Sequence, residues 1–78
     1  MTTEPTPQDR LTADTALRLG VLRHHDTGLT FVSPTLLDLA DEDRPTAERI
    51  ARLVMNNWPV VATAARRLLS ARHYGHAA

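Results

Sequence analysis

Leu19 to Ala40, LGVLRHHDTGLTFVSPTLLDLA, constrains the fold more than any other stretch of this chain. Gly20 is the kind of residue that ends a helix in the left-handed conformation, and Val21 behind it supplies the apolar contact that accompanies such a stop. Val21–His25 and Leu29–Val32 are short apolar or β-branched runs on either side of Asp26-Thr27-Gly28. That pattern predicts a β-hairpin closed by a turn with glycine in the left-handed position. The register is open by one residue, so either His24 or His25 can face inward. Ser33-Pro34 then reads as a helix start, serine capping and proline taking the first helical position. Leu36, Leu37, Leu39 and Ala40 would line its apolar side. Two strands alone are marginally stable, so helices must cover one face of the hairpin.

The rest of the chain reads as helix. Met1 to Gln8, with two prolines and no apolar periodicity, is expected to be a tail. Asp9 is the expected N-cap of a first helix reaching Leu19, with Leu11, Ala13, Ala16 and Leu17 on one side. The acidic run Asp41-Glu42-Asp43 separates the short helix after Pro34 from one starting at Pro45 or Thr46, whose apolar stripe is Ala47, Ile50, Ala51, Val54 and Trp58. Pro59 interrupts that stripe, because a proline inside a helix removes a donor and clashes with the carbonyl four residues back. A break with a new helix from about Trp58 is preferred over one kinked helix. The last helix has an apolar face of Val61, Ala64, Ala65, Leu68 and Ala71 and should end near Tyr74 at Gly75, leaving residues 76–78 frayed. The expected fold is therefore mainly α: one small domain over residues 9–75, about four helices, and one hairpin near residues 21–32.

Charge is unevenly distributed. The formal net charge is zero, yet residues 1–43 carry three arginines against eight acids and residues 44–78 carry six arginines against Glu48 alone. The simplest reading is that the halves complement each other, within the chain or across a dimer. All nine basic residues are arginine, and cysteine is absent, which rules out disulfides and Cys-based metal sites. No apolar run approaches the ~20 residues that span a bilayer. The start of the chain lacks the basic-then-apolar order of a signal peptide. A cytoplasmic protein with no membrane role is expected.

Helix residues Ala16-Leu17, then Leu19-Gly20-Val21-Leu22, the turn Asp26-Thr27-Gly28 and the run Leu29-Thr30-Phe31-Val32 together resemble a segment of winged-helix domains. In that family a recognition helix is followed by a hairpin wing of this kind, which implies DNA binding. The same segment type occurs in helical modules of regulatory ATPases that bind no DNA. The resemblance covers residues 11–40. The sequence departs from the DNA-binding pattern in having only about ten residues ahead of the supposed recognition helix, too few for two more helices. That helix also carries Asp9 and Asp14 beside Arg10 and Arg18, a poor set for reading phosphates or bases.

No nucleophile–base motif, Gly-rich phosphate loop or metalloprotease motif is present, so an enzyme is not expected, nor a cofactor or small-molecule substrate. His24 and His25 are neighbours on a strand and point to opposite faces, so they do not serve one ion; His73 and His76 have helical spacing, but a metal site is not expected. Arg49 and Arg52 share a helical face by i, i+3 spacing, and Arg66 and Arg67 lie on the polar face of the next helix. These four are the candidate surface for nucleic acid or an acidic partner, against the simpler reading of a solvated polar face. Trp58, Val61, Ala65 and Leu68 are the candidate interface, with Trp58 also suited to packing at the break between helices. The expectation is a non-enzymatic interaction or regulatory module that self-associates. A nucleic-acid-binding regulator of winged-helix type is the alternative.

Overall fold

The computed structural model of the chain describes residues 4–77, and side chains within the last helix as far as residue 71. It is mainly helical, with three α-helices and one antiparallel hairpin: α1 (Pro7–Leu19), β1 (Leu22–His25), β2 (Gly28–Phe31), a 3-10 turn (Pro34–Leu36), α2 (Arg44–Asn56) and α3 (Trp58–Ala77).

The first helix starts three residues earlier than expected, with Thr6 and not Asp9 as its N-cap, so Pro7 and Gln8 belong to it and not to a tail. Thr6 is the N-cap: its Oγ1 accepts the Asp9 N–H at 3.2 Å, and Asp9 Oδ2 accepts the Thr6 N–H at 2.9 Å. Asp9 is thus the third-position half of a reciprocal capping box. Pro7 fits the first helical position, where the missing N–H has no partner to lose. Gly20 ends the helix as expected, at φ +93, its N–H donating to the Ala16 carbonyl at 3.1 Å.

The hairpin pairs Leu22 with Phe31, Arg23 with Thr30, His24 with Leu29 and His25 with Gly28. Gly28, at φ +133, opens β2 directly after Asp26-Thr27. Alternation along the strands puts Leu22, His24, Leu29 and Phe31 on one face and Arg23, His25 and Thr30 on the other. The Val32 N–H donates to the Val21 carbonyl at 2.8 Å, extending the ladder one step toward α1.

The expected helix after Ser33-Pro34 does not form. Only the single 3-10 turn is present, and Leu37, at φ −99 and ψ 142, returns the chain to extended geometry. Seven residues before an acidic run are too few to repay helix nucleation. An extended path also alternates its side chains: Leu37 is buried and Leu39 half-buried, while Leu36, Asp38 and Ala40 are exposed.

The interruption before Pro59 is a break between two helices. Asn57, at φ −126 and ψ 36, serves both sides. Its backbone N–H and its Nδ2 donate to the Leu53 carbonyl at 3.0 and 3.1 Å, and its own carbonyl accepts the Val61 N–H at 2.9 Å. Gly75 does not stop α3, which continues to Ala77. Met1 to Thr3, Ala78 and the side chains of Arg72, His73, Tyr74 and His76 lie outside the described residues.

α1 packs against α3 and, less extensively, α2, while the 3-10 turn rests on α2. Each helix contributes two alanines to the core: Ala13 and Ala16, Ala47 and Ala51, Ala64 and Ala65. The largest fully buried side chains are Leu22, Val21, Val54 and Val61. Small residues at the contacts let the helices approach closely, which is how so few large side chains enclose a core. Thr12, the buried polar residue of α1, is satisfied by donating its Oγ1 to the Gln8 carbonyl at 2.9 Å.

Candidate functional surface

Arg49 and Arg52 are exposed on α2, and Arg66 and Arg67 are exposed on α3. Arg67 Nη1 donates to Glu4 Oε2 at 2.8 Å. This bond, with the attraction of the two charges, holds the Glu4 carboxyl below its ordinary value and raises Arg67 further. Asp14 and Arg18, one turn apart on α1, form a further ion pair. Arg49, Arg52 and Arg66 have no acidic ion-pair partner among the described residues, and Asp26, Asp38, Asp41, Glu42 and Asp43 have no basic one. Among the described residues, the Glu4–Arg67 pair joins the acidic and basic halves of the chain, and Arg49, Arg52 and Arg66 are exposed.

Of the four candidate interface residues, two are inside the fold. Val61 is 1% exposed and Ala65 0%, so both are occupied with the chain's own core. Leu68 and Trp58 are half-buried and pack against that core. The apolar side chains that do face outward are Leu11 (57% exposed), Leu36 (78%) and Met55 (66%). Sequence periodicity misplaced Leu11: it lies about 200° around the helix from Ala13, at 100° per residue, and so away from the core. The helix whose apolar side would hold Leu36 does not form. Met55 follows buried Val54 and, one helical step on, turns to solvent.

Two depressions lie beside these residues. One, of about 370 Å³, is lined by Phe31, Met55 and Trp58, where the hairpin meets the junction of α2 and α3. The other, of about 400 Å³, runs between α1 and α2. Gln8, Leu11, Thr12 and Thr15 form its α1 side and Thr46, Arg49, Ile50 and Leu53 its α2 side.

His24 and His25 are both exposed, on opposite faces of β1. Among the described residues no group of three or more His, Asp or Glu side chains is placed to hold a metal ion. No helix among them is long and apolar enough to cross a membrane. Comparisons of the chain with protein-family models, curated proteins and solved structures find no match.

Proposed function

We propose that this chain is a small non-enzymatic protein-interaction module of regulatory type, acting in the cytoplasm and self-associating through helix faces. The observation that carries this reading is the outward placement of Leu11, Leu36 and Met55 on a chain with few large apolar residues to spare. Burying such side chains against a partner removes apolar surface from water and supplements a small core. Sedimentation equilibrium of the purified full-length chain over a wide concentration range tests it. A mass that rises with concentration to that of a dimer is expected; a monomer throughout overturns the reading.

A second reading, nucleic-acid binding, draws support from Arg49, Arg52 and Arg66, whose guanidinium groups have no acidic partner among the described residues. The order of α1 followed by the hairpin adds the winged-helix resemblance, with Arg23 on the outer face of the wing. Here the chain would sediment with duplex DNA at low salt and lose it steeply as salt rises. Arg66→Glu/Arg67→Glu would weaken that binding regardless of DNA sequence.

A further inference from the structure

We propose that the outward face of α2 is the seat of a second copy of this chain, the two α2 helices lying antiparallel so that the arginines of each meet the carboxylates of the other. This rests on the self-association reading above and names its surface. Pro45, Glu48, Arg49, Arg52 and Met55 are all exposed. At about 100° per residue they share about 120° of arc. Ala47, Ile50, Ala51 and Val54, on the opposite side of the helix, lie in the core. The outward face has a direction of charge. Its N-terminal end is acidic: Asp41, Glu42 and Asp43, in the turn leading into α2, are exposed, and Asp43 at the N-cap makes no side-chain capping bond. Glu48 follows, and then Arg49 and Arg52 toward the C-terminal end. None of these carboxylates and guanidinium groups takes part in an ion pair among the described residues. Met55, 66% exposed, continues the stripe by one more turn with an apolar side chain.

The order of charge selects the occupant. A helix face that runs from acid to base is complementary to itself when reversed. A two-fold axis performs that reversal, makes each contact twice and closes the assembly at two copies. With the axis at residues 48–49, Arg49 of one copy stands over Glu48 of the other. Arg52 then falls between the second copy's Glu48 and its 41–43 turn, about one helical turn from each. That gap is within reach of a long guanidinium side chain. Each of these arginines meets a carboxylate that pairs with no base in its own chain among the described residues. A nucleic acid fits the same face less well. Its phosphates gain Arg49 and Arg52 but meet Glu48 on the same stripe and three carboxylates at its end, and like charges brought together cost affinity. A copy of the chain brings both signs in the required order.

The test is sedimentation equilibrium of the full chain in low and high salt, with and without duplex DNA, and circular dichroism of each protein. Wild type is expected to dimerise, with a dissociation constant that rises with salt because exposed charge pairs are screened. Arg49→Glu/Arg52→Glu should raise that constant by roughly tenfold or more, since the two-fold axis removes every pair twice. Glu42→Arg/Glu48→Arg should do the same. A mixture of these two variants should associate one to one, each supplying the charge the other lacks. Arg10→Glu/Arg23→Glu, with the same net charge as the first variant but altered away from α2, should dimerise as wild type does. Each variant should keep the helical signal of wild type, because every substituted side chain is exposed. For any variant that is unfolded, the salt series on wild type decides. A wild-type dimer indifferent to salt, normal dimerisation of Arg49→Glu/Arg52→Glu, or a mixture that stays monomeric overturns this proposal, while self-association itself stands. A monomeric wild type removes both readings together. If that monomer binds duplex DNA and Arg49→Glu/Arg52→Glu does not, the face belongs to phosphate.

Discussion

Arg67 Nη1 donates to Glu4 Oε2 across 2.8 Å, joining the segment ahead of α1 to the middle of α3 over a separation of 63 residues. The bond and the charge of Arg67 lower the Glu4 carboxyl from its ordinary 4.5. A carboxyl lowered in the folded state contributes stability above its unfolded value and loses it as pH falls through the folded one. The pair is fully exposed, so global stability should hardly respond. The Glu4 carboxyl carbon in an NMR titration should show a midpoint below 4.5 in wild type and return to the ordinary value in Arg67→Ala. Equal midpoints in the two proteins would show that the bond is not populated in solution.

Gly20 and Gly28 both have positive φ, +93 and +133, but differ in their surroundings. A Cβ on Gly20 would lie 3.4 Å from Leu37 Cδ2, whereas a Cβ on Gly28 meets nothing within 4 Å. Gly20→Ala should cost about 1–2 kcal/mol from the left-handed backbone, since the Leu37 methyl would meet the new Cβ at ordinary van der Waals distance. Gly28→Ala should cost about 1–3 kcal/mol of backbone strain. Urea denaturation reads both. A neutral Gly20→Ala would mean that the end of α1 can rearrange.

Ala65 is 0% exposed between helices. Leucine there adds volume to a contact that small side chains keep close, and overpacking of this kind costs about 1–3 kcal/mol. Ala65→Leu should lower the melting temperature even though leucine is a good helix former. If it left stability intact and changed only the association state, Ala65 would be an interface residue after all.

Val61 is among the largest fully buried side chains, whereas Leu68, seven residues along α3, is half-buried. An aspartate at 61 must be buried unpaired, at a cost of several kcal/mol, comparable with the ~5 kcal/mol total of a marginally stable domain. Val61→Asp should abolish the cooperative transition, and Leu68→Asp should only lower it. A folded Val61→Asp chain would mean that this part of α3 can turn its face to water.

Asn57→Ala removes the Nδ2 bond to the Leu53 carbonyl at the end of α2. A lost hydrogen bond of this kind costs about 1 kcal/mol, and alanine also favours running the two helices together. Denaturation should show that loss. An Asn57→Ala protein as stable as wild type would place the break under the control of Pro59 and packing alone.

Apolar spacing made α1, α2 and α3 readable, because Ala13/Ala16, Ala47/Ile50/Ala51/Val54 and Val61/Ala64/Ala65 recur with helical period and are buried. Gly20 and the Asp26-Thr27-Gly28 turn were readable because their backbone geometry suits glycine. Leu36-Leu37-Asp38-Leu39 was not, since four residues fit a helical stripe or an extended alternation equally well. Leu37 decides between them by packing beside Gly20, a contact between segments that local pattern cannot express. The surface was harder to read for the same reason. Alanines and valines suited to an interface are equally suited to a core, and the burial of Val61 and Ala65 follows from how the helices pack on one another, which local pattern does not express.

Trp58 is the single tryptophan of the chain, and it stands at the junction of α2 and α3 with Phe31 and Met55 lining the same depression. The protein therefore carries an intrinsic fluorophore at its three-way corner. Parting the hairpin from the helices, or straightening the corner at Asn57, changes the polarity around the indole and shifts its emission. Both unfolding and any ligand that fills this depression can be followed optically on the unlabelled chain.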